Sequence, residues 1–162
     1  MKHRAYIKTT LLALALTLAV TCHAQDTFKG KVIRIADGDT FTVLTEGNNQ
    51  VKVRISGIDA PESGQAFGTK SRQWLADRIF GKTVTLEESS KDQYGRSIAN
   101  VYYEGQDIGL ASIRAGMAWH YAHFNDDEAY AAAQKAAQEE NLGLWADKDP
   151  VNPYEWRKTH KK

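Results

Sequence analysis

From Phe28 to Ser56 the hydrophobic positions recur in short, β-like steps. Lys31 to Ile35 carries Val32, Ile33 and Ile35, Thr40 to Thr45 sets Phe41 and Val43 on one face, and Val51, Val53 and Ile55 alternate with Lys52 and Arg54. Asp37-Gly38-Asp39 and the Gly/Asn stretch over 46–49 separate these runs as turns, so three consecutive antiparallel strands are predicted. Strict alternation puts Val53 and Arg54 on opposite faces of the third strand. After Asp59-Ala60-Pro61-Glu62 the period lengthens. Phe67, Ser71, Trp74/Leu75 and Ile79 share one helical face, and Gly81 beyond them is a natural stop.

Two further strands, Thr83 to Glu87 and Ser97 to Tyr103, flank the turn Asp92-Gln93-Tyr94-Gly95-Arg96. Asp107 is placed to cap a short helix that carries Leu110 and Ile113 and ends at Gly116. Asn125 with Glu128 three residues on has capping-box spacing for an Ala-rich helix that ends near Gly143. From Asp147 the chain turns polar, with Pro150, Pro153 and a basic end, and residues 148–162 read as a loosely ordered tail. The expectation is one α+β, mainly β domain over 25–147. An OB-fold barrel of five antiparallel strands with three α-helices suits the set.

Composition changes this picture little. Hydrophobic residues are 42% and charged residues 25%, an ordinary globular balance that excludes a disordered chain. The N-terminus changes it more. The one long apolar run, Leu11 to Val20, is too short to span a bilayer, which takes roughly 20 residues. It follows Lys2, Arg4 and Lys8 and precedes Cys22-His23-Ala24, the order of a secretory signal peptide over 1–24. Cleavage after Ala24 would start the exported chain, periplasmic or secreted, at Gln25. The alternatives are a buried N-terminal helix and a lipoprotein acylated at Cys22, against which Thr21 is larger than the usual preceding residue.

Losing Lys2, Arg4 and Lys8 takes the basic count from 21 to 18 against 20 acidic residues, so the formal charge moves from +1 to −2. A global basic coat for nucleic acid is therefore absent, and any such activity needs a local site with its own positive charge. Cys22 is the single cysteine, which excludes an intrachain disulfide and a Cys-based zinc site.

Chemistry-bearing residues gather at strand ends and turns. Asp39, Asp59 and Glu62 offer hard oxygen ligands from separate segments, a set that suits Ca²⁺ or Mg²⁺ and lacks EF-hand spacing. Each alone is an ordinary turn or loop residue. Arg54 and Arg96 near such a centre would form a phosphate clamp, because each fork donates two hydrogen bonds to phosphate oxygens. A metal, two arginines and one more carboxylate are the inventory for phosphodiester hydrolysis.

The segments DGDT at 37–40, VRISGIDAPE at 53–62 and DQYGR at 92–96, followed by LASIRAGMAW at 110–119 and NLGLW at 141–145, resemble the staphylococcal nuclease (thermonuclease) family over roughly residues 28–147. The resemblance implies the OB-fold barrel with three helices and calcium-dependent endonuclease cleavage of DNA and RNA to 3′-phosphate ends. It implies Asp39 and Asp59 as Ca²⁺ carboxylates, Ala60 as a backbone-carbonyl ligand, and Glu62 as the group that orients or deprotonates water. It also implies Arg54 and Arg96 as the phosphate-binding arginines, and Tyr94 and Tyr121 as residues beside the nucleotide. The expected substrate is single-stranded by preference, and the protein a monomer with no membrane span. Two features depart from the family: the Lys-rich loop after Glu62 is much shorter here, and Trp119-His120-Tyr121-Ala122-His123 stands where a base-packing tyrosine falls. His120 and His123 read as incidental surface residues. The alternative reading is a non-catalytic OB-type module that binds nucleic acid or protein; family modules of that kind have usually lost metal or arginine positions, and all five charged positions are present here.

Overall fold

The computed structural model describes residues 26–160, so the segment read as a signal peptide lies outside the described residues. In chain order the elements are β1 (Asp26–Ile35), β2 (Thr40–Leu44), β3 (Gln50–Ile55), β4 (Ile58–Asp59), α1 (Gly68–Ile79), β5 (Thr83–Lys91), β6 (Ser97–Tyr103), β7 (Gln106–Asp107), α2 (Ile108–Arg114), β8 (Trp119–His120), α3 (Glu128–Glu139), a 3₁₀ turn (Gly143–Ala146) and α4 (Pro153–Thr159). Strands β1, β2 and β3 form the expected meander, β5 pairs with β1 and β6 with β5, all antiparallel. The circle closes where β3 meets β6, with Val53 opposite Ser97 and Ile55 opposite Ala99. This gives the five-stranded OB-type barrel. The closing pair is parallel, since the chain returns to β3 only after crossing through α1 and β5. Among the described residues no helix is long and apolar enough to cross a membrane.

The alternation that predicted the strands is the alternation that fills the barrel. Phe41, Val43, Val53, Ile55, Val84, Leu86, Ala99 and Val101 are buried in one cluster, while intervening side chains point outward. Helix α1 buries Ser71, Leu75 and Ile79, four residues apart, against it. Gly81 ends the helix in the left-handed region at φ 74°. A second, smaller cluster joins Ala137, Leu144 and Trp145 to Phe67 and Trp119, with Trp119 and Trp145 edge-to-face at 4.4 Å.

Two boundaries differ from the sequence reading. Asp127, not Asn125, caps α3: its carboxylate accepts from the Ala129 amide at 2.8 Å. The Asn125 side chain instead accepts from the Asp127 amide and sits 3.1 Å from His120 Nε2. The histidine is thus tied into the loop rather than idle on the surface. The tail is also ordered further than expected. Residues 153–159 form a helix whose start has Asn152 accepting from the Tyr154 amide at 2.9 Å and Pro153 in the first turn, both standard start signals.

Asp107 joins two helices. One carboxylate oxygen caps α2 by accepting from the Leu110 amide at 3.0 Å, and the buried Tyr130 hydroxyl of α3 donates to the same carboxylate at 3.0 and 3.1 Å. Tyr130→Phe removes a hydrogen bond to a charged acceptor and nothing else, so it lowers unfolding stability by about 1.5–2 kcal/mol. Urea unfolding should show a lower midpoint with an unchanged slope. An unchanged midpoint would mean that water serves Asp107 equally well.

Candidate active site

The β1–β2 turn is built by its own side chains. Asp37 accepts from the Asp39 amide at 3.0 Å, which tightens the turn and aims the Asp39 side chain inward. Gly38 is required here by space. A methyl group at this position would collide with Ser71 Oγ and come within 2.8 Å of the Ala60 side chain. Ser71 is itself fixed, donating to the Met117 carbonyl at 2.7 Å. Gly38→Ala should therefore cost about 1–3 kcal/mol, as overpacking does, and displace Asp39. Thermal unfolding checks the first part and metal titration the second; wild-type values in both would show that the turn relaxes freely.

Asp39 and Asp59 come together over Arg54. Strand β3 projects Arg54 away from the buried Val53, as alternation predicted. Its Nη1 lies 2.6 Å from Asp39 Oδ2, and its Nη2 lies 3.1 Å from Asp59 Oδ1 and 3.3 Å from the Ile58 carbonyl oxygen. Asp39 Oδ2 also accepts from the Ala60 amide at 2.9 Å, and Oδ1 from the Thr40 hydroxyl at 2.9 Å. Burial pushes the Asp39 carboxyl up, but the Arg54 charge and these hydrogen bonds outweigh it and hold it below its usual 3.8. Its pairing adds stability at neutral pH that is lost as pH falls through the native-state value. Neighbouring Asp37 goes the other way: burial and the Asp39 charge push it up to about 7. The Arg54 guanidinium is held still more firmly protonated, despite burial, by the two aspartates.

Glu62 follows Pro61 in a loop locked by Gln65, whose amide donates to the Glu62 carbonyl and whose side-chain oxygen accepts from the Glu62 amide. Gly68 lets this loop lie on the start of α1, since a side chain there would strike the Glu62 carbonyl. The sequence reading did not single out Arg157 of α4. Its Nη1 lies 3.0 Å from Asp59 Oδ1 and 2.8 Å from Glu62 Oε1, and its Nη2 2.9 Å from Asp59 Oδ2. The signal was present in the Asn152-Pro153 helix start, but nothing local says where that helix docks.

Arg96 approaches from the β5–β6 turn. Its backbone amide and that of Tyr94 donate to Asp92 Oδ1, its Nε to Asp92 Oδ2 at 2.7 Å, and its Nη1 to the Thr40 hydroxyl at 3.4 Å. Thr40 thus links Arg96 to Asp39. Burial raises the Asp92 carboxyl, and the hydrogen bonds from Arg96 and Tyr94 more than offset it, leaving it lowered. Arg54, Arg96, Tyr94, Tyr121 and Phe124 line one cleft of about 560 Å³. Tyr94 and Phe124 stand out from it, 73% and 77% exposed. Tyr121 packs on Phe124 at 5.0 Å, with the Arg54 guanidinium 5.9 Å from its ring centre.

The donors that meet here are carboxylate oxygens, with neither sulfur nor imidazole among them. Two buried aspartates converging on one cationic group suit a hard divalent cation, with backbone, water and substrate oxygens left to complete a shell of six to eight. Among the described residues no three His, Cys, Asp or Glu side chains gather into a closed metal cage.

Comparison with known proteins agrees with the motifs. Residues 52–147 match the family described as staphylococcal nuclease homologue. A Haemophilus influenzae protein named "Uncharacterized endonuclease" is 43% identical over 161 residues, 99% of this chain and 89% of its own. A Shigella flexneri protein named "Micrococcal nuclease" is 41% identical over 162 residues, 93% of this chain and 92% of its own. The barrel, the order of its charged turns and these matches place the chain in the staphylococcal nuclease family.

Proposed function

We propose that this protein is a calcium-dependent endonuclease that hydrolyses phosphodiester bonds of DNA and RNA and leaves 3′-phosphate ends. One observation carries the reading. Asp39 and Asp59 meet on one guanidinium, Glu62 joins Asp59 through Arg157, Arg96 reaches them across Thr40, and Arg54 and Arg96 both line a cleft rimmed by exposed aromatics. A bound divalent cation would supply a Lewis acid and positive charge against the phosphate.

The protein's own residues do the rest. Asp39 and Asp59 hold the cation, and Ala60 fixes Asp39 through its amide; a carbonyl contribution from Ala60 is the part implied by family resemblance. Arg54 and Arg96 donate hydrogen bonds to the phosphate oxygens where charge grows as water attacks and the 5′-oxygen leaves. Glu62 orients that water and takes its proton. Tyr94 and Tyr121 offer ring faces to unstacked bases, which favours single-stranded substrate. Phe124 extends that apolar rim. The protein works as a monomer and is exported after cleavage at Ala24. N-terminal sequencing of the exported protein should begin at Gln25, and an intact Met1 or a lipidated Cys22 would contradict this.

The deciding experiment is digestion of heat-denatured DNA with Ca²⁺ and with excess chelator. Cleavage confined to the calcium sample supports the enzyme. Binding without cleavage would favour a non-catalytic module. Asp39→Asn should raise the calcium needed for half-maximal rate by at least the roughly 10–100-fold typical of weakened metal sites, with partial rescue at high calcium. Unchanged calcium dependence would remove Asp39 from the shell.

A further inference from the structure

Three carboxylates, Asp39, Asp59 and Glu62, meet two guanidinium groups, Arg54 and Arg157. The two arginines are held differently. Arg54 stands in the barrel wall, 14% exposed, with both aspartates and the Ile58 carbonyl on it. Arg157 comes from the far end of the chain on the seven-residue α4, 37% exposed, and Pro153 is the one residue of that helix that is buried. Segments that bury so little open at low cost.

Arg157 nevertheless covers oxygens of Asp59 that a cation shared with Asp39 would need. It occupies both oxygens of Asp59, which is 2% exposed, and reaches Glu62 with the same Nη1. Asp59 Oδ1 already accepts from Arg54, so three of the roughly four acceptor sites of this carboxylate are filled. A third cation on Asp59, beside Arg54 and Arg157, would meet like charge at a few ångströms. Glu62, meanwhile, has a guanidinium on one of its two carboxylate oxygens, Oε1. The rest of the tail is anchored beside this contact: Gln65 Nε2 donates to the Val151 carbonyl at 2.6 Å, and Trp156 lies against Gly64.

We propose that Arg157 is a resident counter-cation of the site: α4 lays its guanidinium on Asp59 and Glu62, and a divalent cation binds by displacing it. Arg157 is thus a positioning residue. It neutralises the carboxylates in the resting protein and leaves Glu62 free when metal enters. This rests on the divalent-cation reading of Asp39 and Asp59 given above.

Calorimetric titration of the purified protein with CaCl₂, without nucleic acid, tests it alongside hydrogen exchange of α4. Arg157→Ala should bind Ca²⁺ at least about tenfold more tightly than wild type, because the competent state no longer has to be freed first. Arg157→Lys should fall between the two. In the wild type, Ca²⁺ should speed amide exchange in residues 154–159, a measurement that needs no variant and stands even if Arg157→Ala folds poorly. Equal calcium affinities with unchanged exchange would overturn the role of Arg157 and leave the metal reading intact. Equal calcium affinities with weaker DNA binding by Arg157→Ala would make Arg157 a phosphate ligand instead. If neither wild type nor variant binds Ca²⁺ at millimolar concentration, this inference falls, and the metal reading stands or falls separately on the cleavage assay with Ca²⁺ and with chelator.

Discussion

Arg54→Lys lowers the single-turnover cleavage rate by about 10²–10³ and weakens binding of an uncleavable DNA far less. In-line displacement puts extra negative charge on the equatorial phosphate oxygens. A donor that meets this charge better than it meets the ground-state diester lowers the barrier, whereas equal binding of both leaves kcat unchanged. Arg54 is suited to this because its orientation is fixed. Two aspartates and a backbone carbonyl hold the guanidinium plane, so little reorganisation is needed when charge develops. Lysine keeps the charge but loses the fork. It cannot bridge Asp39 and Asp59 and also face the phosphate with a fixed donor.

The same contacts predict a stability loss that separates geometry from charge. Lysine leaves one buried carboxylate short of a partner, which costs on the order of 1–3 kcal/mol. Urea unfolding in chelator reads that loss. Arg96→Lys is the comparison. Arg96 is 26% exposed and its side chain rests on the partly exposed Asp92 through Nε alone, so the substitution should spare stability and still cut the rate. If both variants cleave like wild type, neither arginine serves the transition state.

The surroundings of most residues in this candidate site are local, and so within reach of sequence pattern. Asp39 is set by a turn of its own side chains, Arg96 by a turn with Gly95 at φ 75°, and Arg54 by strand alternation. Each is fixed by neighbours within a few positions, and period-two patterning puts Val53 and Arg54 on opposite faces of β3, Val53 being the buried one. What local pattern could not give is the encounter between distant segments. The parallel closure of β3 on β6 depends on barrel geometry rather than on any motif. The N-terminal cap of α3 fell two residues from its predicted place because Asn125 and Asp127 are both able to cap, and His120 engages Asn125. Arg157 lies 98 residues from Asp59 in sequence. Asn152 and Pro153 are helix-start signals for α4, but the polar, proline-containing stretch around them carries no apolar periodicity to say where that helix packs. Its docking depends on Gln65 and the Glu62 loop, which no periodicity connects to it.

Glu62→Gln should lower kcat by roughly 10²–10⁴, the usual contribution of a positioned general base. It should leave the fold and the binding of DNA close to wild type. Glutamine keeps the size of the side chain and an oxygen that accepts from Arg157, now 2.8 Å away. The loop is held by backbone and Gln65 contacts that the substitution does not touch. Glu62 is also 34% exposed, so the lost ion pair contributes little to stability. Proton acceptance is the property removed. A further consequence separates the two roles of this residue. A neutral amide grips Arg157 less firmly than a carboxylate, so calcium binding should tighten slightly even as cleavage collapses. Rate and metal affinity moving in opposite directions is an outcome that general damage to the site does not produce. Wild-type cleavage by Glu62→Gln would take Glu62 out of proton transfer, and a parallel loss of rate and calcium affinity would make it a metal ligand instead.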